Sequence, residues 1–117
     1  MIAGKTVERL IFGSLADHTL PKLKRLGIRY AGEVKGVLNS GRMTEEYILN
    51  ILNGLGEGLT EIYFHPGCLP DEEITRRMPD YRHEAELAAI TSPRIRQKLE
   101  EFGMELINYQ GDRKENA

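Results

Sequence analysis

The sequence carries a single cysteine, Cys68, and no long apolar run free of charge. One thiol cannot close an internal disulfide, which excludes a disulfide-stapled scaffold and fits a reducing compartment. The longest mostly apolar stretch is broken by charges every few residues, which excludes a membrane span, and the N-terminus lacks the charged-then-apolar order of a signal peptide. These absences predict a soluble, cytoplasmic protein. Neither sign of charge is in excess: 16 Lys and Arg stand against 18 Asp and Glu, a net charge of −2. No bulk field therefore draws nucleic acid or an anionic membrane. Internal repeats and low-complexity segments are also absent.

What is present is an ordinary globular composition, 40% hydrophobic over 117 residues with five prolines. That is one domain's worth of chain, with little surplus to cover an open sheet edge. A single α/β domain is expected over residues 1–110. Residues 111–117 have no apolar side chain larger than Ala117 and are expected to form a disordered tail.

Helical spacing of Val7, Leu10 and Ile11 is followed by Leu15, Leu20, Leu23 and Leu26, with Pro21 between; the proline predicts a kink or two helices. Gly27 suits a left-handed helix end, and residues 28–34 have the β-branched and aromatic content of a strand. Thr44 is an N-cap candidate, followed by Glu45 and Glu46 in a first turn and by an apolar face of Tyr47, Ile48, Ile51, Leu52 and Leu55. Residues 59–65 read as a second strand, with Ile62 and Phe64 on one face and Glu61, Tyr63 and His65 on the other. A Pro- and charge-rich loop from Cys68 to Asp80 precedes a short helix over 83–91, with Leu87, Ala88 and Ile90 available for packing. Ser92-Pro93 starts a further helix carrying Ile95, Leu99 and Phe102, closed by Gly103, and residues 104–109 read as a third strand. About three strands alternating with helices predict a parallel sheet, a partial (β/α) barrel-like segment.

Three stretches in this order carry a resemblance: Gly36-Val37-Leu38-Asn39-Ser40-Gly41-Arg42-Met43-Thr44-Glu45-Glu46, then Thr60-Glu61-Ile62-Tyr63-Phe64-His65-Pro66-Gly67, then Tyr81-Arg82-His83-Glu84-Ala85-Glu86-Leu87. Together they resemble the C-terminal part of the YdjC family of carbohydrate deacetylases, close to its hopanoid-associated HpnK branch, over roughly residues 20–110. The resemblance implies an irregular barrel in which a divalent metal activates water against an N-acetyl group on a sugar. In that family the metal ligands lie upstream of the part matched here. A barrel of that kind needs roughly 250 residues, so the resemblance implies a C-terminal fragment without the metal half. The resemblance thus implies a chain that is inactive alone, and a complementary N-terminal half or a second copy is expected as its partner. Gly32-Glu33 stands where the family tends to carry an Asp-His pair.

His65 is the leading catalytic candidate, a proton donor or orienting group in an intact barrel; the plainer alternative is a structural histidine bonding the loop after Pro66. Arg82 and Glu86, four apart at a helix start, suit a surface ion pair, and the resemblance makes them candidates for the substrate rim. His83 is expected to be exposed. His18, His65 and His83 show no metal-ligand spacing, so no metal or other cofactor is expected in this chain. Cys68 reads as a passive loop thiol, Lys22, Lys24, Arg25 and Arg29 as a solvated helix face, and Gly54, Gly56 and Gly58 as turn residues. The rival to a deacetylase segment is a non-catalytic assembly module that associates through an exposed sheet edge.

Overall fold

The computed structural model describes residues 2–112, and its first element is a 24-residue helix, α1 (Ile2–Arg25). Pro21 lies inside that helix rather than dividing it. It deprives the Asp17 carbonyl of a donor, but Asp17 and its neighbours are exposed, so water replaces the missing bond and the helix continues. The expected end at Gly27 is observed. With φ +66, Gly27 donates its N–H to Lys24 O, while Ile28 N–H reaches back to Leu23 O. This pair of bonds is a Schellman closure.

Helix α1 belongs to the first of two compact units, built from the chain up to Ser40 together with Gly56–Phe64. This unit also holds β1 (Glu33–Lys35), a 3-10 turn (Val37–Asn39) and β2 (Thr60–Ile62). The strands pair in parallel, with Glu33 opposite Thr60, Val34 opposite Glu61 and Lys35 opposite Ile62. Two further bonds extend the ladder at its ends, Gly32 N–H to Leu59 O and Tyr63 N–H to Lys35 O. Both strands are shorter than the sequence predicts. A strand without a second neighbour gains bonds along only one edge, which limits how far pairing can propagate.

The second unit comprises Gly41–Leu55 and the chain from His65 onward, and contains α2 (Glu45–Asn53), α3 (Glu72–Arg77), α4 (His83–Ile90) and α5 (Pro93–Glu101). The Thr44 cap is present, its hydroxyl accepting from Tyr47 N–H, and so is the Ser92 cap with Pro93 in the first turn of α5. The buried apolar side chains are Met43, Ile48, Leu49, Leu52, Ala89 and Ile95. Tyr47 and Phe102, expected on packed faces, are exposed.

Five helices with a two-stranded parallel sheet make the described chain α/β, but only two of the three expected strands form among the described residues. Residues 104–109 are irregular, with an isolated bridge at Ile107. Leu106 and Tyr109 are exposed, so burial gives this stretch no reason to straighten. Helix α3 stands where a loop was expected. Asp71 caps it by accepting from Ile74 N–H, with Glu72 and Glu73 in its first turn and Arg76 and Arg77 in its last. That charge order matches the helix dipole and outweighs the prolines on either side. Of the expected tail, residues 113–117 lie outside the described residues, and Asp112 is bonded to Asn108. No helix among the described residues is long and apolar enough to cross a membrane.

Candidate functional site

Helix α4 buries a polar face. His83, Glu86 and Ala89 point inward, at 3%, 0% and 1% exposure, while the Leu87, Ala88 and Ile90 set expected to pack is half-buried or exposed. The spacing i, i+3, i+6 is a helical stripe, but it carries a histidine and a glutamate where a core stripe would carry aliphatics. A fully buried carboxylate needs donors. Glu86 finds two in the backbone: Met43 N–H at 3.0 Å on one oxygen and His65 N–H at 2.5 Å on the other. Glu86 thus ties two remote segments to α4, and it is neither at a rim nor paired with Arg82, the two roles the sequence suggested for it.

His83 is likewise buried and not exposed as expected. Its Nδ1 lies 2.7 Å from the carbonyl oxygen of His65. A carbonyl only accepts, so the Nδ1 proton sits in this bond. The Nε2 atom is buried and meets no hydrogen-bonding group among the described residues. The main chain of α4 adds two more ties, since Gly67 donates its N–H to His83 O at 3.2 Å and Arg82 N–H donates to Gly41 O at 2.8 Å.

Two glycines allow this close approach. At Gly41, φ is +77 and an added Cβ would lie 2.4 Å from the Tyr81 ring. At Gly67 an added Cβ would meet His83 Cβ at 3.3 Å. The Tyr81 ring in turn stands edge-on to the His65 imidazole, centroids 4.9 Å apart at 72°, and 5.7 Å from the His83 ring. His65, Tyr81 and His83 therefore form one ring cluster at the start of α4, with the Glu86 carboxylate bonded to the His65 amide.

His65 is not at the end of a strand: β2 stops at Ile62, and His65 lies in the irregular chain that follows. Arg82 is adjacent to the cluster in sequence and exposed. Cys68 is an exposed free thiol, and His18, in the other unit, contacts Lys22 Nζ at 3.2 Å on the surface of α1. The divalent metal implied by the family resemblance does not fit these residues. No group of three or more His, Cys, Asp or Glu among the described residues could hold one, and His83 Nδ1 is occupied by its proton.

A second polar network joins α2 to α5. Ser92 Oγ–H donates to Glu45 at 2.6 Å, and the Arg94 guanidinium bonds both Glu45 and Glu46. The Ser92 hydroxyl is the main influence holding the Glu45 carboxyl below the usual glutamate range; burial opposes it, and the charge and hydrogen bond of Arg94 add to the lowering. In α3, Arg76 first and Arg77 after it do the same for Glu73.

Sequence reasoning singled out His65 as a candidate but did not bring Tyr81 beside it, and it did not anticipate the burial of His83 and Glu86. The one signal available was the stripe at 83, 86 and 89, passed over because its members are polar or small. A family model described as YdjC-like protein matches residues 3–101. The match takes in α1 from residue 3, ahead of the start of the resemblance near residue 20, and stops at the end of α5, short of the 104–110 stretch. No curated protein and no solved structure matches the chain.

Proposed function

The chain belongs to the YdjC-like family, and on that premise we propose that it is a carbohydrate deacetylase-like protein whose own contribution to the reaction is the His65 corner. The observation that carries this reading is the hold on His65: its N–H and its C=O are both bonded to side chains of α4. An imidazole on so constrained a backbone suits proton donation to the departing amine of an N-acetyl sugar, where placement matters as much as acidity. Exposed Arg82 is the rim group that would meet the sugar. Kinship to the HpnK branch rests on the three quoted stretches.

In this reading water activation is supplied from outside the described residues, by a complementary N-terminal half that carries the metal. The chain alone is then silent. The test is acetate release from N-acetylated chito-oligosaccharides by the purified chain with added divalent metal. No turnover is expected, and sustained metal-dependent turnover would overturn the claim that a second half is needed.

A separate observation favours assembly as a second reading. Val7, Leu10, Ile11, Phe12 and Leu15 of α1 are all more than half exposed, an unusual concentration of apolar surface for a helix left in water. Either a complementary half or a second copy would cover it. Light scattering on the eluting chain separates these: a dimer supports self-association, and a monomer leaves the complementary half as the partner.

A further inference from the structure

We infer that His83 and Glu86 are positioning residues for His65, setting the place of its imidazole by holding its peptide groups. The inference rests on the reading that His65 is the group that acts.

The segment His65-Pro66-Gly67 owns only two amide hydrogens, because proline has none. Both are committed to α4: His65 N–H to Glu86 Oε2 at 2.5 Å and Gly67 N–H to His83 O at 3.2 Å. The His65 carbonyl is committed there as well, accepting from His83 Nδ1–H at 2.7 Å. Pro66 adds its own restriction, because its ring confines the preceding residue to extended backbone. His65 is thus restricted to the extended region by the proline after it and pinned at both polar ends by one helix. Only its side-chain torsions remain, and the Tyr81 ring edge limits those.

The chemistry of His83 argues that this bond is its purpose. Burying an imidazole costs free energy at each nitrogen that finds no partner. Nδ1 finds the His65 carbonyl, whereas Nε2 meets no hydrogen-bonding group among the described residues. An aliphatic side chain would fill the same buried position without that cost. What an aliphatic cannot do is donate to His65. Glu86 follows the same logic, since both its oxygens are spent on backbone amides and neither is spared for solvent.

The test compares His83→Leu with His83→Asn by NMR on the intact chain. Asparagine offers a side-chain N–H at about the reach of Nδ1, and leucine offers none. Two quantities are read: amide exchange at His65 and Gly67, and the through-space contacts between the His65 and Tyr81 rings. In His83→Leu, exchange at both amides is expected to rise roughly tenfold, the factor for losing one hydrogen bond, and the ring contacts to be lost. Exchange at Leu52 in α2 should not change. In His83→Asn both quantities should return to wild-type values, a rescue that mere filling of space does not give. Unchanged ring contacts and exchange in the leucine variant would overturn the inference, and so would equal loss in both variants. Should the leucine variant fail to fold, the asparagine variant decides alone, supporting the inference if the ring contacts persist and overturning it if they vanish. Acetate release plays no part in the readout, so a failed deacetylase reading remains distinguishable from a failed positioning role.

Discussion

Helix α1 has 24 residues and a run of large apolar side chains, and α4 has eight residues with a histidine and two glutamates, yet α4 is the helix with a fully buried face. The contrast separates two reasons for burial. Apolar area drives a helix inward only when a complementary surface exists to receive it. Polar groups go inward only when fixed partners await them, and then they hold particular segments in place. In α1 the first condition is unmet over Val7 to Leu15, while in α4 the second is met by Met43 and His65 for both Glu86 oxygens and for His83 Nδ1.

The strongest way to break this comparison is to remove the carboxylate. Glu86→Ala strands two amides, one buried and one part-buried, and leaves a cavity, and should cost about 3–5 kcal/mol of unfolding free energy. Glu86→Gln keeps one acceptor oxygen but turns its NH₂ toward the other donor, and should cost about 1–3 kcal/mol. Urea titration of both variants checks the order. An alanine variant as stable as wild type would mean that the two amides find other partners and that α4 is buried for ordinary apolar reasons.

A smaller effect follows from the link between α2 and α5, which is polar but lies at the surface. The Glu45 carboxyl is held below the usual glutamate range, chiefly by the Ser92 hydroxyl. A depressed folded-state value means that the contribution is present above the ordinary glutamate pKa and is lost as pH falls through the lower folded value. The stability gap between wild type and Glu45→Gln should therefore be widest near neutrality and close on acidification below the glutamate range. Because the group is solvent-screened, the gap should be small and should shrink with added salt. A gap independent of pH would assign the effect of the substitution to packing instead of charge.

The two helices also differ in how far the sequence revealed them. Local chemistry was legible: Thr44 and Ser92-Pro93 cap the helices they were expected to cap, and Gly27 ends α1 where a left-handed residue was anticipated. Those signals act within four residues of themselves. Glu86 was not legible because its partners are backbone amides 43 and 21 positions away, and a backbone amide has no side-chain signature. The same blindness hid Tyr81, whose packing against Gly41 depends on the path of a remote turn. The third strand over 104–109 failed for the complementary reason. Its β-branched and apolar content was real, but a strand needs a neighbour, and content does not supply one. Helix α3 was hidden by the prolines around it, although Asp71 and the order of charges that follows spelled out a helix start.

The smallest expected effect lies in α1, and its smallness is what sharpens the comparison. Leu10 is 69% exposed, so Leu10→Lys removes little buried area, and leucine and lysine have nearly equal helix propensity. The folding free energy of the chain should shift by no more than about 0.5 kcal/mol, measured by urea titration at a concentration where the wild type is monomeric. Self-association reads the same substitution differently. A charge placed in the centre of the Val7 to Leu15 stripe must be desolvated by whatever covers that stripe, so any dimer built on it should weaken sharply while the monomer is unmoved. A loss well above 1 kcal/mol in the monomer would show instead that Leu10 packs within its own chain, and the contrast between an uncovered apolar helix and a buried polar one would fall.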